Sequence, residues 1–246
     1  MTFRAAWKLG WFFLELVIVA VDYFFMTAFV STKNKRRARS AWMHRAARRF
    51  IRIYSCEYSF TGPLPKNGLL VSNHLSYLDI LVIGAITPVV FVSKSDVRNW
   101  PVIGWLTALA GTVYIVRERR THVGAVNQEI EAALADGVLV VVFPEGTSTN
   151  GSEVLPFRSP LLEPVMAGNH PISVGFMHYE MDDGDPGDEV CYWGDHTFSA
   201  HTLNLLGKKR VRGKMAFGTF QRTTDDRKEL AKDLREAVLK LKPGNY

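Results

Sequence analysis

The chain has 246 residues, enough for one domain with an added terminal element. Apolar residues make up 47%, which supports a sizeable core, and the two cysteines, Cys56 and Cys191, form no C-x-x-C pattern, so a disulfide scaffold is excluded and a reducing, cytoplasm-facing setting is favoured. The net charge of +6 is concentrated: nine Lys/Arg and no acid lie between Lys33 and Arg52, while the chain from Ile53 onward is net acidic. A nucleic-acid enzyme would spread its positive charge over the domain, whereas one belt beside an apolar segment suits contact with anionic lipid.

That apolar segment runs from Leu9 to Val30 and is dense in aromatics, among them Trp11, Phe12, Phe13, Phe24 and Phe25. About 20 apolar residues can span a bilayer. Glu15 and Asp22 count against a simple span, because an acid at a helix centre costs about 2.5–3.5 kcal/mol on insertion scales. They are seven apart, share a helical face with Lys8, and are placed to pair with arginines of the next helix. That helix, about Ala38 to Tyr54, carries Arg45, Arg48, Arg49 and Arg52 on one stripe and Met43, Ala47, Phe50, Ile51 and Tyr54 on the other. We read residues 1–54 as a two-helix membrane anchor lying in one leaflet, with a single transmembrane helix and positive flank as the rival. A cleaved signal peptide is disfavoured by the length of the run and the basic cluster that follows it.

Residues 55–246 form the second unit. Leu69 to Val71 is a short buried strand that ends at Ser72-Asn73. His74 follows at once, and Asp79 falls in the first turn of a helix that begins near Tyr77. A histidine at a strand's carboxyl end with a carboxylate five residues on can act as a general base: the acid fixes the tautomer and stabilises the imidazolium. The plainer reading is a turn cap beside a helix cap. No third or fourth ligand at a suitable spacing implies a metal.

Val89 to Val92 is a strand, followed by a helix around Val97 to Leu109 broken at Pro101. Its Trp100, Val102, Ile103, Trp105 and Leu106 suit core packing or the wall of an acyl groove. Gly111 to Arg117 is a strand ending on an arginine, a group able to make a two-pronged contact with phosphate. A helix spans about Thr121 to Ala135. Val138 to Phe143 is an apolar strand that opens into the loop Pro144-Glu145-Gly146-Thr147-Ser148-Thr149-Asn150-Gly151. Gly146 allows close approach of backbone to a ligand, Thr147 adds a hydroxyl, and Glu145 orients a hydroxyl or basic group, or forms a salt bridge. Then come a helix over Ser159 to Gly168, a strand over Ile172 to Met177, an exposed acidic loop from Met181 to Glu189, strands near Val190 to Trp193 and Val211 to Phe217 that add antiparallel edges, and a closing helix from Asp225 to Leu241. The pattern predicts an α/β fold with a mixed, largely parallel central sheet flanked by helices.

Asn73-His74-x4-Asp79, the strand ending at Arg117, Phe143-Pro144-Glu145-Gly146-Thr147 and the weaker Pro171 to Val174 resemble, in this order, the four blocks of the glycerolipid acyltransferase family, which includes the 1-acylglycerol-3-phosphate acyltransferases. The resemblance covers roughly Ser59 to Phe220. It implies His74 and Asp79 as the catalytic pair and Asn73, Arg117, Glu145, Gly146 and Thr147 as substrate-binding residues. Many phosphatidate-forming relatives carry an arginine after the Thr; here it is Ser148, and Arg158 is placed to supply that charge. The run from Thr147 to Gly151 with Leu155 to Arg158 looks more like bacterial lyso-ornithine lipid acyltransferases.

The resemblance implies acyl transfer from acyl-CoA or acyl carrier protein to the hydroxyl of a lysolipid. The expected acceptor is 1-acylglycerol-3-phosphate, giving phosphatidic acid, with lyso-ornithine lipid or another lysophospholipid as the alternative. It implies membrane lipids as partners, no nucleic acid, no metal and no resident cofactor, and a place on the cytoplasmic side of the inner membrane. Two other classes stay open. One is a catalytically silent lipid-binding protein. The other is a hydrolase using Ser76 or Ser148, which lacks the G-x-S-x-G elbow.

Overall fold

A computed structural model describes residues 2–116 and 122–244. In chain order come α1 (Phe3–Thr27), α2 (Lys35–Ile53), β1 (Cys56–Thr61), β2 (Gly68–Ser72), α3 (Leu78–Ile86), β3 (Val89–Lys94), α4 (Ile103–Ala110), β4 (Val113–Ile115), α5 (His122–Ala135), β5 (Leu139–Val142), α6 (Glu163–Ala167), β6 (Ile172–Met181), α7 (Pro186–Glu189), α8 (Phe198–Gly207), β7 (Val211–Phe220) and α9 (Arg227–Lys240). The described residues form one seven-stranded sheet, ordered β1-β7-β6-β2-β5-β3-β4. Every pairing is parallel except β6 with β7.

The central strands are buried on both faces, which is why they read as unbroken apolar runs. Along β5, Leu139 and Val141 enter one core and Val140 and Val142 the other, following the two-residue period of a strand. The first core is covered by α2 and α3, the second by α5 and α9. Short parallel β2 lies between β5 and β6, so its carboxyl end meets both neighbours.

Several expectations need correction. Val190 to Trp193 is not a strand: Val190 and Cys191 plug the core after α7, and the Tyr192 amide donates to the Leu75 carbonyl at 2.8 Å. The connection to β7 contains α8, which was not expected. β1 was also not expected; it pairs parallel to β7 and takes the sheet edge. The helix over Ser159 to Gly168 divides into a 3₁₀ turn at Pro160–Leu162 and the short α6. The break at Pro101 separates a 3₁₀ turn, Ser95–Asn99, from α4.

The largest difference concerns α2. Its apolar stripe faces protein, not lipid: Trp42, Ala47, Ile51 and Ile53 are fully buried in the first core. α2 is therefore part of the first core. The basic belt is also largely tied inward. Arg36 pairs with Asp136, Arg37 donates to the Asp136 carbonyl, Arg39 to the Leu109 and Ala108 carbonyls, Arg45 to Asp22 and Arg49 to Glu15. Lys33, Lys35, Arg48 and Arg52 remain exposed.

α1 has its polar face inward and its apolar face outward. Glu15 and Asp22 meet Arg49 and Arg45, and Lys8 donates to the Lys208 carbonyl at 3.2 Å. Phe13, Val17, Phe24 and Phe25 are exposed, and Phe29 just beyond the helix is 92% exposed. This inversion fits a helix whose outer solvent is hydrocarbon. α1 is long and apolar enough to cross a membrane, at 25 residues or about 38 Å.

Candidate active site

β2 ends at Ser72, and the next two residues are tied to the neighbouring strands' ends. Asn73 latches onto the β6 backbone: its Nδ2 donates to the Met177 carbonyl at 2.9 Å and its Oδ1 accepts from the Met177 amide at 2.7 Å. Glu145, in the loop after β5, accepts from the His74 amide with one carboxylate oxygen and from the Leu155 amide with the other, each at 2.7 Å. Asn73 and Glu145 are both 2% exposed. Neither lines the cavity described below; both hold the His74 loop in place. Burial raises the Glu145 pKa, while its two backbone donors and His74 pull it back.

His74 Nδ1 lies 2.7 Å from Asp79 Oδ2. Asp79 is fully buried and well supplied with donors. Oδ2 also accepts from the Leu75 and Ser76 amides at 2.7 and 3.0 Å, and Oδ1 accepts from the Tyr179 hydroxyl at 2.6 Å. With a carboxylate on Nδ1, the proton sits there and Nε2 is left as a basic lone pair. The imidazole stacks on Phe143, rings 4.2 Å apart and 13° from parallel, which fixes its plane.

His74 lines a cavity of about 620 Å³. Its walls are apolar: Phe12 of α1, Trp42 and Phe50 of α2, Leu81 of α3, Phe91 of β3 and Leu106 of α4. Gly146, Thr147, Ser148 and Arg158 line the polar end beside His74. Gly146 has φ +77°, and a Cβ there would sit 3.2 Å from Arg158 Nε, so the glycine serves both the left-handed turn and the guanidinium's approach. The Gly146 amide donates to the Phe143 carbonyl within the turn and is not available to an oxyanion. Arg117 lies outside the described residues.

Tyr77 closes another part of the wall. His201 Nε2 faces the Cys191 carbonyl at 3.1 Å and must carry the proton there, so its Nδ1 accepts from the Tyr77 hydroxyl at 3.0 Å. Burial, then His196, lowers the His201 pKa and keeps it neutral. Of the serines considered as nucleophiles, Ser76 is fully buried and does not line the cavity, and the Ser148 hydroxyl donates to the Tyr192 carbonyl. Neither is poised against His74.

Sequence reasoning brought His74, Asp79, Gly146, Thr147 and Arg158 to one place, and the structure groups them. It missed Tyr179, whose one available signal is the alternation Met177, Tyr179, Met181 on the inward side of β6. It also missed Tyr77 and His201, which no local pattern links.

The acyltransferase family model matches residues 51–174. A lyso-ornithine lipid O-acyltransferase of Rhodobacter capsulatus is 36% identical over 169 residues, covering 65% of this chain and 59% of that one. A 1-acyl-sn-glycerol-3-phosphate acyltransferase of Neisseria gonorrhoeae is 35% identical over 121 residues, covering 48% of each. The chain thus spans about half to three-fifths of the length of these relatives. The crystal structure of the 1-acyl-sn-glycerophosphate acyltransferase of Thermotoga maritima superposes with TM-score 0.64 over 98% of this chain and 95% of that one, at 17% identity, a likeness of fold. With half the chain under the family model and the His–Asp pair of its first block in bonding contact, the chain belongs to the acyltransferase family.

Proposed function

We propose that the protein transfers a fatty acyl group from a thioester, acyl-CoA or acyl carrier protein, to the free hydroxyl of a lysolipid at the cytoplasmic face of the inner membrane. The observation that carries this reading is a basic imidazole, backed by a buried carboxylate, at the polar end of an apolar cavity. His74 Nε2 removes the acceptor's hydroxyl proton as the oxygen attacks the thioester carbonyl. The tetrahedral intermediate collapses, the thiolate leaves, and the imidazolium returns its proton to the sulfur. Asp79 stabilises the imidazolium between these steps. The thioester is already activated, so no acyl-enzyme is required. Thr147 stands at the cavity's polar end as a donor for the oxyanion or the headgroup. Arg158 and, in this reading, Arg117 hold the acceptor's anionic group.

The favoured acceptor is lyso-ornithine lipid. Ser148 stands where many phosphatidate-forming relatives carry an arginine, and the Rhodobacter capsulatus relative bears that name. A second reading, 1-acylglycerol-3-phosphate, is favoured by the Neisseria gonorrhoeae relative and by Arg158 beside the Gly146 turn. The test is transfer of labelled acyl groups from acyl-CoA and from acyl carrier protein to both acceptors by purified protein. Transfer to lyso-ornithine lipid at the higher kcat/KM is expected, and His74→Ala is expected to lower turnover by about two to four orders of magnitude. No transfer to any lysolipid, or near-normal turnover of that variant, overturns the proposal.

A further inference from the structure

Trp100 to Trp105 read Trp-Pro-Val-Ile-Gly-Trp and run from the end of the 3₁₀ turn Ser95–Asn99 into the first turn of α4. The stretch has two faces. Val97, Trp100, Ile103 and Leu106 line the cavity. Val102 and Trp105 lie outside it and are 37% and 45% exposed.

The turn between these faces is strained. Val102 has φ +64° and ψ −54°, and the Ile103 amide donates across it to the Pro101 carbonyl at 2.7 Å. This is a γ-turn of the positive-φ form, rare in general and unfavourable for a β-branched residue. Strain of this kind persists only where the surroundings enforce it, and it gathers at ligand clamps and switch regions. The surroundings here are tight. A Cβ on Gly104 would sit 2.1 Å from the Arg98 carbonyl oxygen, and the Gly104 and Leu106 amides donate to the Trp100 and Val102 carbonyls. Core packing does not account for the strain, because the valine that it presents is not buried.

Two further observations say what meets this tip. The same cavity is lined by Phe12 of α1 with Trp42 and Phe50 of α2, and α1 turns an apolar face outward. Two elements that line one cavity therefore both show apolar surface to the outside. Beside the tip, exposed Arg98 holds its guanidinium 5.7 Å over the Tyr114 ring, with no carboxylate partner among the described residues. A tryptophan and a valine at a tip, flanked by a cation, have the make-up of an interfacial contact with anionic lipid.

We propose that the Val102–Trp105 turn is a second membrane contact, so that two elements lining the cavity, this turn's stretch and α1, are both seated in lipid. A lysolipid then reaches His74 by sliding sideways from the leaflet. The use of the contact rests on the acyl-transfer reading; the contact itself does not.

The experiment labels Val102→Cys, and in parallel Trp105→Cys, with an environment-sensitive nitrobenzoxadiazole in the full chain. Cys56 and Cys191 are buried, so the introduced thiol takes the label. With vesicles of phosphatidylcholine and phosphatidylglycerol, both labels are expected to shift blue and to be quenched by doxyl lipids. A label at Lys232→Cys, exposed on α9 against the other core, is expected to stay unchanged. Trp105→Glu is expected to lower turnover on vesicles about tenfold and to leave turnover on detergent-solubilised acceptor unchanged. If neither label responds to vesicles, the proposal falls. It also falls if the shift occurs without lipid and grows with protein concentration, which assigns the tip to a second copy. Absence of all acyl transfer would sink the acyl-transfer reading and leave the label result standing.

Discussion

Asp79 has zero exposure, and an ion so placed survives only if donors replace its lost water. Two amides and the Tyr179 hydroxyl do so besides His74. Burial first, and then the Asp79 charge, push the Tyr179 pKa well above its ordinary value, so it remains an O–H donor at any working pH. The nearby Cys56 and Cys191 thiols, pushed up to about 12 by burial, stay neutral and add no competing charge. Tyr179→Phe removes one donor from the carboxylate. The carboxylate that orients His74 is then held by one donor fewer, so kcat is expected to fall several-fold with KM little changed, with a stability loss of about 1–3 kcal/mol. An unchanged kcat with lowered stability would make Tyr179 a packing residue only.

At the scale of elements, α2 decides how the anchor works. An amphipathic stripe says that one face leaves water; it does not say whether protein or lipid receives it. The arginine partners of Glu15 and Asp22 were legible because charges seven apart on one face need partners on the facing helix. The identity of the apolar partner was not. Trp42 is 1% exposed, its indole N–H donates to the Val19 carbonyl at 2.9 Å, and it meets Tyr23 edge-on at 5.2 Å. Trp42→Ala is therefore expected to destabilise the fold by about 3–5 kcal/mol, read from the urea midpoint. A loss under about 1 kcal/mol, with weaker vesicle binding instead, would return α2 to lipid. The strands β2, β3 and β5 were legible for the opposite reason: buried on both faces, they read as plain apolar runs. β1 and α8 were not, because tertiary contacts hold them. β1 is a short edge strand with exposed Glu57, Ser59 and Phe60 that stands by pairing with β7. α8 stands against α1, with His201, Leu205 and Leu206 buried.

For the molecule as a whole, parallel topology places the loops after β2 and β5 side by side, and that is why residues 71 apart in sequence share a hydrogen bond between Glu145 and the His74 amide. That meeting followed from strand ends alone. The latch of Asn73 onto β6 and the roof formed by α1 and α2 needed the tertiary fold. The roof sets the last prediction. α1 contacts the rest through its polar residues, through buried Ala5 and Val19, and through half-buried side chains such as Phe12 and Tyr23, while its other side is open. Removing residues 2–30 therefore uncovers α2 but takes only Ala5 and Val19 from the buried apolar core. That truncation is expected to unfold cooperatively and to lose most of its vesicle binding. Removing residues 2–54 also takes Trp42, Phe50, Ile51 and Ile53, four large buried side chains worth about 1.5–3 kcal/mol each in burial alone. Typical domains are stable by only about 5–15 kcal/mol, so this longer truncation is expected not to fold. Circular dichroism with thermal melting, run beside vesicle flotation, separates the cases: a cooperative melt from the 2–54 truncation would show that α2 lies on the domain and is not part of it.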